Sequence, residues 1–138
     1  GHLQKDSAGK ITQDAIAGLD KRGLVLTLGE LFDNLQQAGF LMLNATPVLH
    51  PQRKPALEAR YWLEFLERLL TLVAQSSPQR ITLLLWGKIA KLVEAMPASR
   101  AYDRLVCEHP YNISFIDNPD MLQLFANLRV LQQTGTRA

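Results

Sequence analysis

The residues best suited to chemistry in this 138-residue sequence are an asparagine, a glycine and a histidine that each end an apolar run. Asn44 follows Phe-Leu-Met-Leu, Gly87 follows Ile-Thr-Leu-Leu-Leu-Trp, and His109 follows Arg-Leu-Val-Cys-Glu. An amide both donates and accepts hydrogen bonds, which suits the edge of an amide or a nucleobase. An imidazole can donate to an oxygen that gains negative charge. These types predict one site for a planar polar ligand. The alternative is structural, with the asparagine satisfying a loop and the histidine joining a polar network.

The elements that must position these residues follow from the apolar runs. Runs without alternation are typical of strands covered on both faces, as in parallel sheets. Strands that alternate with helices predict an α/β fold, a three-layer domain with a small, mainly parallel sheet flanked by helices. In such sheets ligands bind beyond the carboxyl ends of the strands, where Asn44, Gly87 and His109 stand. The predicted strands are 40–43, 81–86 and 104–108, and the predicted helices are 28–37, 56–74, one from 88 and one after Asn118.

Local signals predict three of the helix ends. Thr27 and Glu30 have the spacing of a capping box, in which the hydroxyl and the carboxylate each accept a free backbone N–H. Gly39 is expected to end that helix. Asn118 is expected to cap the last helix, because Pro119 then falls in its first turn, where the missing N–H costs nothing.

The composition indicates a packed globular protein, with 47% hydrophobic residues, 20% charged residues and a net charge of +2. We expect a poorly ordered segment over 1–12 and a single domain over 13–138. Cys107 is the one cysteine and cannot form an internal disulfide, so we expect a reducing compartment. We expect the Cys107 side chain to fill space in the interior rather than to act as a catalytic thiol, because free cysteines are usually buried. No run approaches the roughly 20 apolar residues of a membrane span. We therefore expect a cytoplasmic monomer with no membrane contact.

Three motifs carry a resemblance to a known family. Leu-Met-Leu-Asn-Ala at 41–45, Leu-Leu-Leu-Trp-Gly at 83–87 and His-Pro at 109–110 stand in the order, and near the separations, of the uracil-DNA glycosylases. Trp62 and Phe65 fall near the family's Trp-Glu-x-Phe pattern. The resemblance covers roughly Gly23 to Leu131, and its most specific piece is the Leu-Leu-Leu-Trp-Gly run.

The resemblance implies a role for each matching residue. Asn44 would read the hydrogen-bonding edge of uracil, and His109 would bond the uracil carbonyl oxygen as the glycosidic bond breaks. In the loop after His-Pro, Ile113 would be the apolar wedge that holds the flipped nucleotide out of the helix. Ser114 and Tyr111 of the same loop are the expected DNA contacts. Base excision requires such extrusion and a wedge to fill the gap.

The family's water-activating motif, Gly-Gln-Asp-Pro-Tyr-His, is only partly matched by Thr-Gln-Asp-Ala-Ile-Ala at 12–17. The match implies base binding by Gln13 and a catalytic role for Asp14, which would orient water or stabilise the cationic sugar. Leu26 stands where the family has a phenylalanine that stacks on uracil. The apolar strand that leads to the aspartate in the family is missing, so we expect either a fragment or a rebuilt fold.

The sequence as a whole predicts a DNA glycosylase that hydrolyses the N-glycosidic bond of uracil in DNA, without a metal or another cofactor. One alternative is a catalytically degenerate domain of this fold that binds DNA or a protein partner without chemistry. Another is a small-ligand α/β protein with a coincidental resemblance. Arg53 and Lys54 could meet phosphates, although a solvated loop is the favoured interpretation.

Overall fold

The computed structural model describes residues 5–48 and 50–133, which form two compact units. The first unit comprises the chain up to Met42 and again from Ile116, and the second comprises Leu43–Phe115. The α/β class, with a small parallel sheet flanked by helices, is confirmed. The assignment of 13–138 to one domain stays a prediction. In the described part of the chain, no helix is long and apolar enough to cross a membrane.

The second unit is built on two parallel strands. Strand β1 (Thr82–Trp86) pairs with β2 (Asp103–Cys107), in a register that sets Thr82 opposite Asp103 and Trp86 opposite Cys107. Helix α5 (Ala90–Glu94) connects them and contacts both strands. Ahead of β1 lie α3 (Pro55–Tyr61) and α4 (Leu63–Ser76), and a 3₁₀ turn (Pro97–Ala101) precedes β2.

The core of the second unit joins α4, β1, α5 and the turn before β2. Leu66 and Leu70 are one helical turn apart on α4, so both face the same apolar cluster. The Tyr102 hydroxyl donates to the Leu70 carbonyl at 2.5 Å, and burial raises the pKa of this phenol. The buried members are Leu66, Leu70, Leu85, Ala90, Val93, Met96 and Tyr102.

The first unit contains short helices and polar links. Helix α2 (Leu28–Gln37) begins with the predicted capping box, and α6 (Pro119–Phe125) begins with the predicted Asn118 cap. The short helix α1 is Gln13–Ala17. Within α2, the buried Asn34 amide donates to the carbonyls of Val130 and Gln132 at 2.9 and 2.8 Å.

The prediction of a strand over 40–43 is wrong. Helix α2 ends in a Schellman arrangement, in which the Phe40 N–H donates to the Leu35 carbonyl across Gly39 (φ +89°). The first N–H of the expected strand is therefore used to close the helix. Leu41, Met42 and Leu43 are exposed and irregular. In residues 5–48 and 50–133, β1 and β2 are the only strands longer than an isolated bridge.

Other predicted boundaries need smaller corrections. The single helix predicted over 56–74 is two helices, because Trp62 (φ −96°, ψ −1°) ends α3 and caps α4. The helix expected to begin at Lys88 begins at Ala90, after a turn at Gly87. Both observed strands lie within one residue of their predicted bounds.

Candidate functional site

The two parallel strands end side by side, and this brings Gly87 and His109 into contact. The Gly87 N–H donates to the Cys107 carbonyl at 3.0 Å, which extends the ladder one residue beyond β1. Gly87 has φ +77°, and a Cβ built on it would lie 3.3 Å from the His109 Cβ. A side chain here would be strained and would press on the histidine, so the glycine allows the imidazole to pack against the strand end.

His109 is oriented by a turn of its own. The Tyr111 N–H donates to His109 Nδ1 at 3.1 Å, and the Asn112 N–H donates to the His109 carbonyl at 2.9 Å. Because Nδ1 accepts a hydrogen bond, the proton of the neutral imidazole is on Nε2. His109 is exposed, so the ring presents an N–H donor at the carboxyl end of β2. An N–H held in this way can stabilise negative charge on a ligand oxygen.

Asn44 also belongs to the second unit. It is exposed, and the next residue, Ala45, packs against the core cluster that contains Leu85 of β1. This packing holds the backbone beside Asn44 to the core and leaves its amide accessible. The exposure of both Asn44 and His109 is compatible with ligand binding.

The segment after His109 is exposed and leads into a second 3₁₀ helix, Ile113–Asp117. Tyr111 is 93% exposed and Ile113 is 40% exposed, and Ser114 is exposed beside it. Phe115 turns inward, and its ring meets Trp86 edge to face with centroids 5.6 Å apart. Trp86 is therefore a packing residue, whereas the side chains of Tyr111 and Ile113 are left at the surface.

The other three predicted site residues lie in the first unit. Gln13 and Asp14 are the first two residues of the five-residue helix α1, and both are exposed. Leu26 is exposed just before α2, where its backbone N–H donates to Glu30 Oε2 at 2.8 Å. Their roles stay predictions from the sequence.

One structural feature was missed by the sequence analysis. The imidazole of His50 accepts the Gln52 N–H on Nδ1 at 3.2 Å, as His109 accepts that of Tyr111. Each histidine precedes a proline, and that shared His-Pro dipeptide was the available signal.

Over 5–48 and 50–133, no group of three or more histidine, cysteine or carboxylate side chains could hold a metal ion.

Comparison with solved structures finds proteins with a similar fold. The chain is similar to the crystal structure of the wild-type uracil-DNA glycosylase (UNG) from Nitratifractor salsuginis, with a TM-score of 0.73 and 31% identity over 95% of this chain and 51% of that one. A variant of the same enzyme with a tyrosine replaced by glycine gives a TM-score of 0.72 and 34% identity over 88% and 48%. The resemblance to uracil-DNA glycosylases is confirmed.

The chain spans about half the length of these uracil-DNA glycosylases. No protein-family model matches it, and a search of curated proteins also finds no match. The glycosylase-like fold thus stands on two solved structures at 31 to 34% identity.

Proposed function

We propose that this protein acts on DNA as a uracil-DNA glycosylase, hydrolysing the N-glycosidic bond between uracil and deoxyribose. The observation that carries the proposal is the His109 turn. The Tyr111 N–H on Nδ1 leaves Nε2–H as an exposed donor where the parallel strands end. The sequence resemblance to the uracil-DNA glycosylases implies that this donor would meet a carbonyl oxygen of uracil, and the similarity of fold supports that assignment.

In the proposed reaction the bond between uracil N1 and the sugar C1′ breaks, and the electron pair leaves with the base. Negative charge then spreads onto a uracil carbonyl oxygen, to which His109 Nε2–H donates. Asn44 binds the polar edge of the base, because its amide can donate to a carbonyl and accept from an N–H. Water adds to C1′ and loses a proton, and the departing uracil anion takes up one proton, which yields an abasic site and free uracil.

The remaining roles rest on the sequence match. Asp14 would orient the water or stabilise the cationic sugar, with Gln13 and Leu26 against the base. The exposed loop fits contact with DNA, since Ile113 is apolar and accessible enough to enter a gap in the base stack. Tyr111 and Ser114 would contact the flanking nucleotides.

The experiment is release of uracil from a fluorescent single-stranded oligonucleotide that contains one deoxyuridine. We expect His109→Ala to lower kcat about 10² to 10³-fold, the usual effect of removing one donor to a developing oxyanion. Asn44→Asp should lower kcat/KM roughly 10- to 100-fold through lost hydrogen bonds to the base. Asn127→Asp is the matched control, because Asn127 is another exposed asparagine. Release that is unaffected by either site substitution contradicts the proposal.

The second candidate function is DNA binding without chemistry. One observation favours it: Asp14 lies in an exposed five-residue helix, where Ala-Ile-Ala replaces the family's Pro-Tyr-His. Salt-sensitive binding of the oligonucleotide with no uracil released by the wild-type protein would favour this function over the enzyme.

A further inference from the structure

Two turns of the second unit have the same hydrogen bonds. In His50-Pro51-Gln52-Arg53, the histidine Nδ1 accepts an N–H two residues on at 3.2 Å, and its carbonyl accepts one three residues on at 3.1 Å. The His109 turn has these two bonds at 3.1 and 2.9 Å. His50 is also exposed. Its neutral ring therefore presents Nε2–H to solvent, as His109 does.

The residues that follow His50 give its loop a cationic surface. Arg53, Lys54 and Arg60 are exposed, whereas Glu58, the one carboxylate between 50 and 61, is buried. Glu58 accepts from Arg53 Nη1 at 3.4 Å, which uses one of the five N–H donors of the guanidinium. The acidic partner is thus on the inside, and the donors left at the surface favour an anion.

An aromatic ring completes the surface. The Arg53 guanidinium lies over the Tyr61 ring, 5.1 Å from its centroid, and Tyr61 is 67% exposed. Glu58 and Tyr61 together hold the arginine in place, which lowers the entropy lost when it binds a ligand. Cationic side chains beside an exposed aromatic ring are typical of surfaces that track a single nucleic-acid strand, where phosphates meet the cations and a base stacks on the ring.

We propose that loop 50–54 and Tyr61 form a second DNA contact, which binds the phosphodiester backbone outside the base-recognition site. His50 Nε2–H and Arg53 donate to phosphate oxygens, and Tyr61 stacks with a base. The inference rests on the proposed function for DNA as the partner. The two histidine turns then have different ligands, since His109 donates to the base and His50 donates to the phosphodiester backbone.

The first test compares the two histidines on the uracil-containing oligonucleotide with the full chain. His50→Ala should raise KM about tenfold, the effect of one lost hydrogen bond to a charged group, and leave kcat within about twofold. His109→Ala should instead lower kcat. A loss of kcat with unchanged KM for His50→Ala would overturn the inference and leave the proposed function standing.

The second test measures binding of a uracil-free single strand against salt concentration. Each lost contact between a cation and a phosphate, as in Lys54→Gln, should reduce the slope of log K against log[salt] by about 0.7. His50→Ala removes a neutral donor, so it should lower the affinity with little change in this slope. Lys54→Gln and His50→Ala are the primary variants, because they leave the Arg53–Glu58 pair intact. Arg68→Gln is the matched control, because it removes an exposed cation that pairs with Glu64 on α4.

The outcomes of the two tests are separable. Slopes and affinities that match the wild type for His50→Ala and Lys54→Gln refute the loop contact, whether or not uracil is released. Weaker binding by these variants, in a protein that releases no uracil, refutes the glycosylase function and supports the loop. Failure of the wild-type protein to bind any strand refutes both.

Discussion

The two units of this protein are stabilised in different ways. The second unit has parallel strands and one apolar cluster, and its candidate residues Asn44 and His109 stand beside that cluster or at a strand end. The first unit has short helices, isolated bridges and the Asn34 links to Val130 and Gln132, and its candidate Asp14 stands on a five-residue helix. Packing therefore fixes the site residues of the second unit, whereas Asp14 depends on local helix geometry.

The largest effect on stability should come from removing a side chain from the core of the second unit. Leu70→Ala should destabilise the protein by about 2 to 5 kcal/mol, through lost burial and a residual cavity in the cluster. Leu72→Ala on the same helix is the control, since Leu72 is 60% exposed and should matter little. Urea unfolding measures both variants. Amide exchange should rise mainly within 43–115, and an equal rise in both units would contradict the distinction.

The hydrogen bonds of the Asn34 side chain in the first unit should contribute less to the stability of the protein than the core of the second unit does. Asn34→Ala removes the amide donor that the Val130 and Gln132 carbonyls share. The free energy of unfolding should therefore fall by about 1 to 3 kcal/mol. Gln37→Ala is the control, because Gln37 is exposed at the end of the same helix. Urea unfolding is again the measurement. An effect as small as that of the control would mean that the apolar residues hold this unit as well.

The sequence predicted best where one local rule decides the structure. The capping box of Thr27 and Glu30 and the Asn118 cap were correct, because each depends on residues within one turn. Strands β1 and β2 were predicted because a short, unbroken apolar run is typical of a buried strand.

The sequence failed where the outcome depends on a distant partner or on a short-range competitor. The run over 40–43 is as apolar as β1, but a strand needs a neighbour, and the Phe40 N–H closes helix α2 instead. The break at Trp62 was missed because the apolar spacing of Tyr61 and Phe65 continues across it. The dipeptide His-Pro does not reveal that Nδ1 accepts a backbone N–H. The exposed Nε2–H donors of His109 and His50 therefore could not be predicted from the sequence and are seen only in the structure.

A substitution at Gly87 tests whether the end of β1 positions His109. Gly87→Ala should cost about 1 to 2 kcal/mol, because an L side chain is strained at φ +77°. It should also displace the His109 ring and lower kcat for uracil release. Gly29→Ala is the control, because Gly29 is helical and a Cβ built on it would come no closer than 3.8 Å to a side chain, that of Thr27. This substitution should be neutral or stabilising. Full kcat in a destabilised Gly87→Ala protein would separate the glycine from the function of the histidine.

The smallest effect should come from the capping box of the first unit, and it should depend on pH. The Glu30 carboxylate accepts N–H bonds from Leu26 and Thr27, which lowers its pKa below the ordinary value. The folded state thus favours the ionised form, so the stabilisation is complete above the unfolded pKa of about 4.3 and is lost as pH falls through the lowered folded value. Thermal unfolding of Glu30→Gln and the wild type should therefore differ slightly at neutral pH and converge in acid. A difference that stays constant through this range would assign the cap to hydrogen-bond geometry alone, since a glutamine oxygen accepts the same N–H groups without titrating.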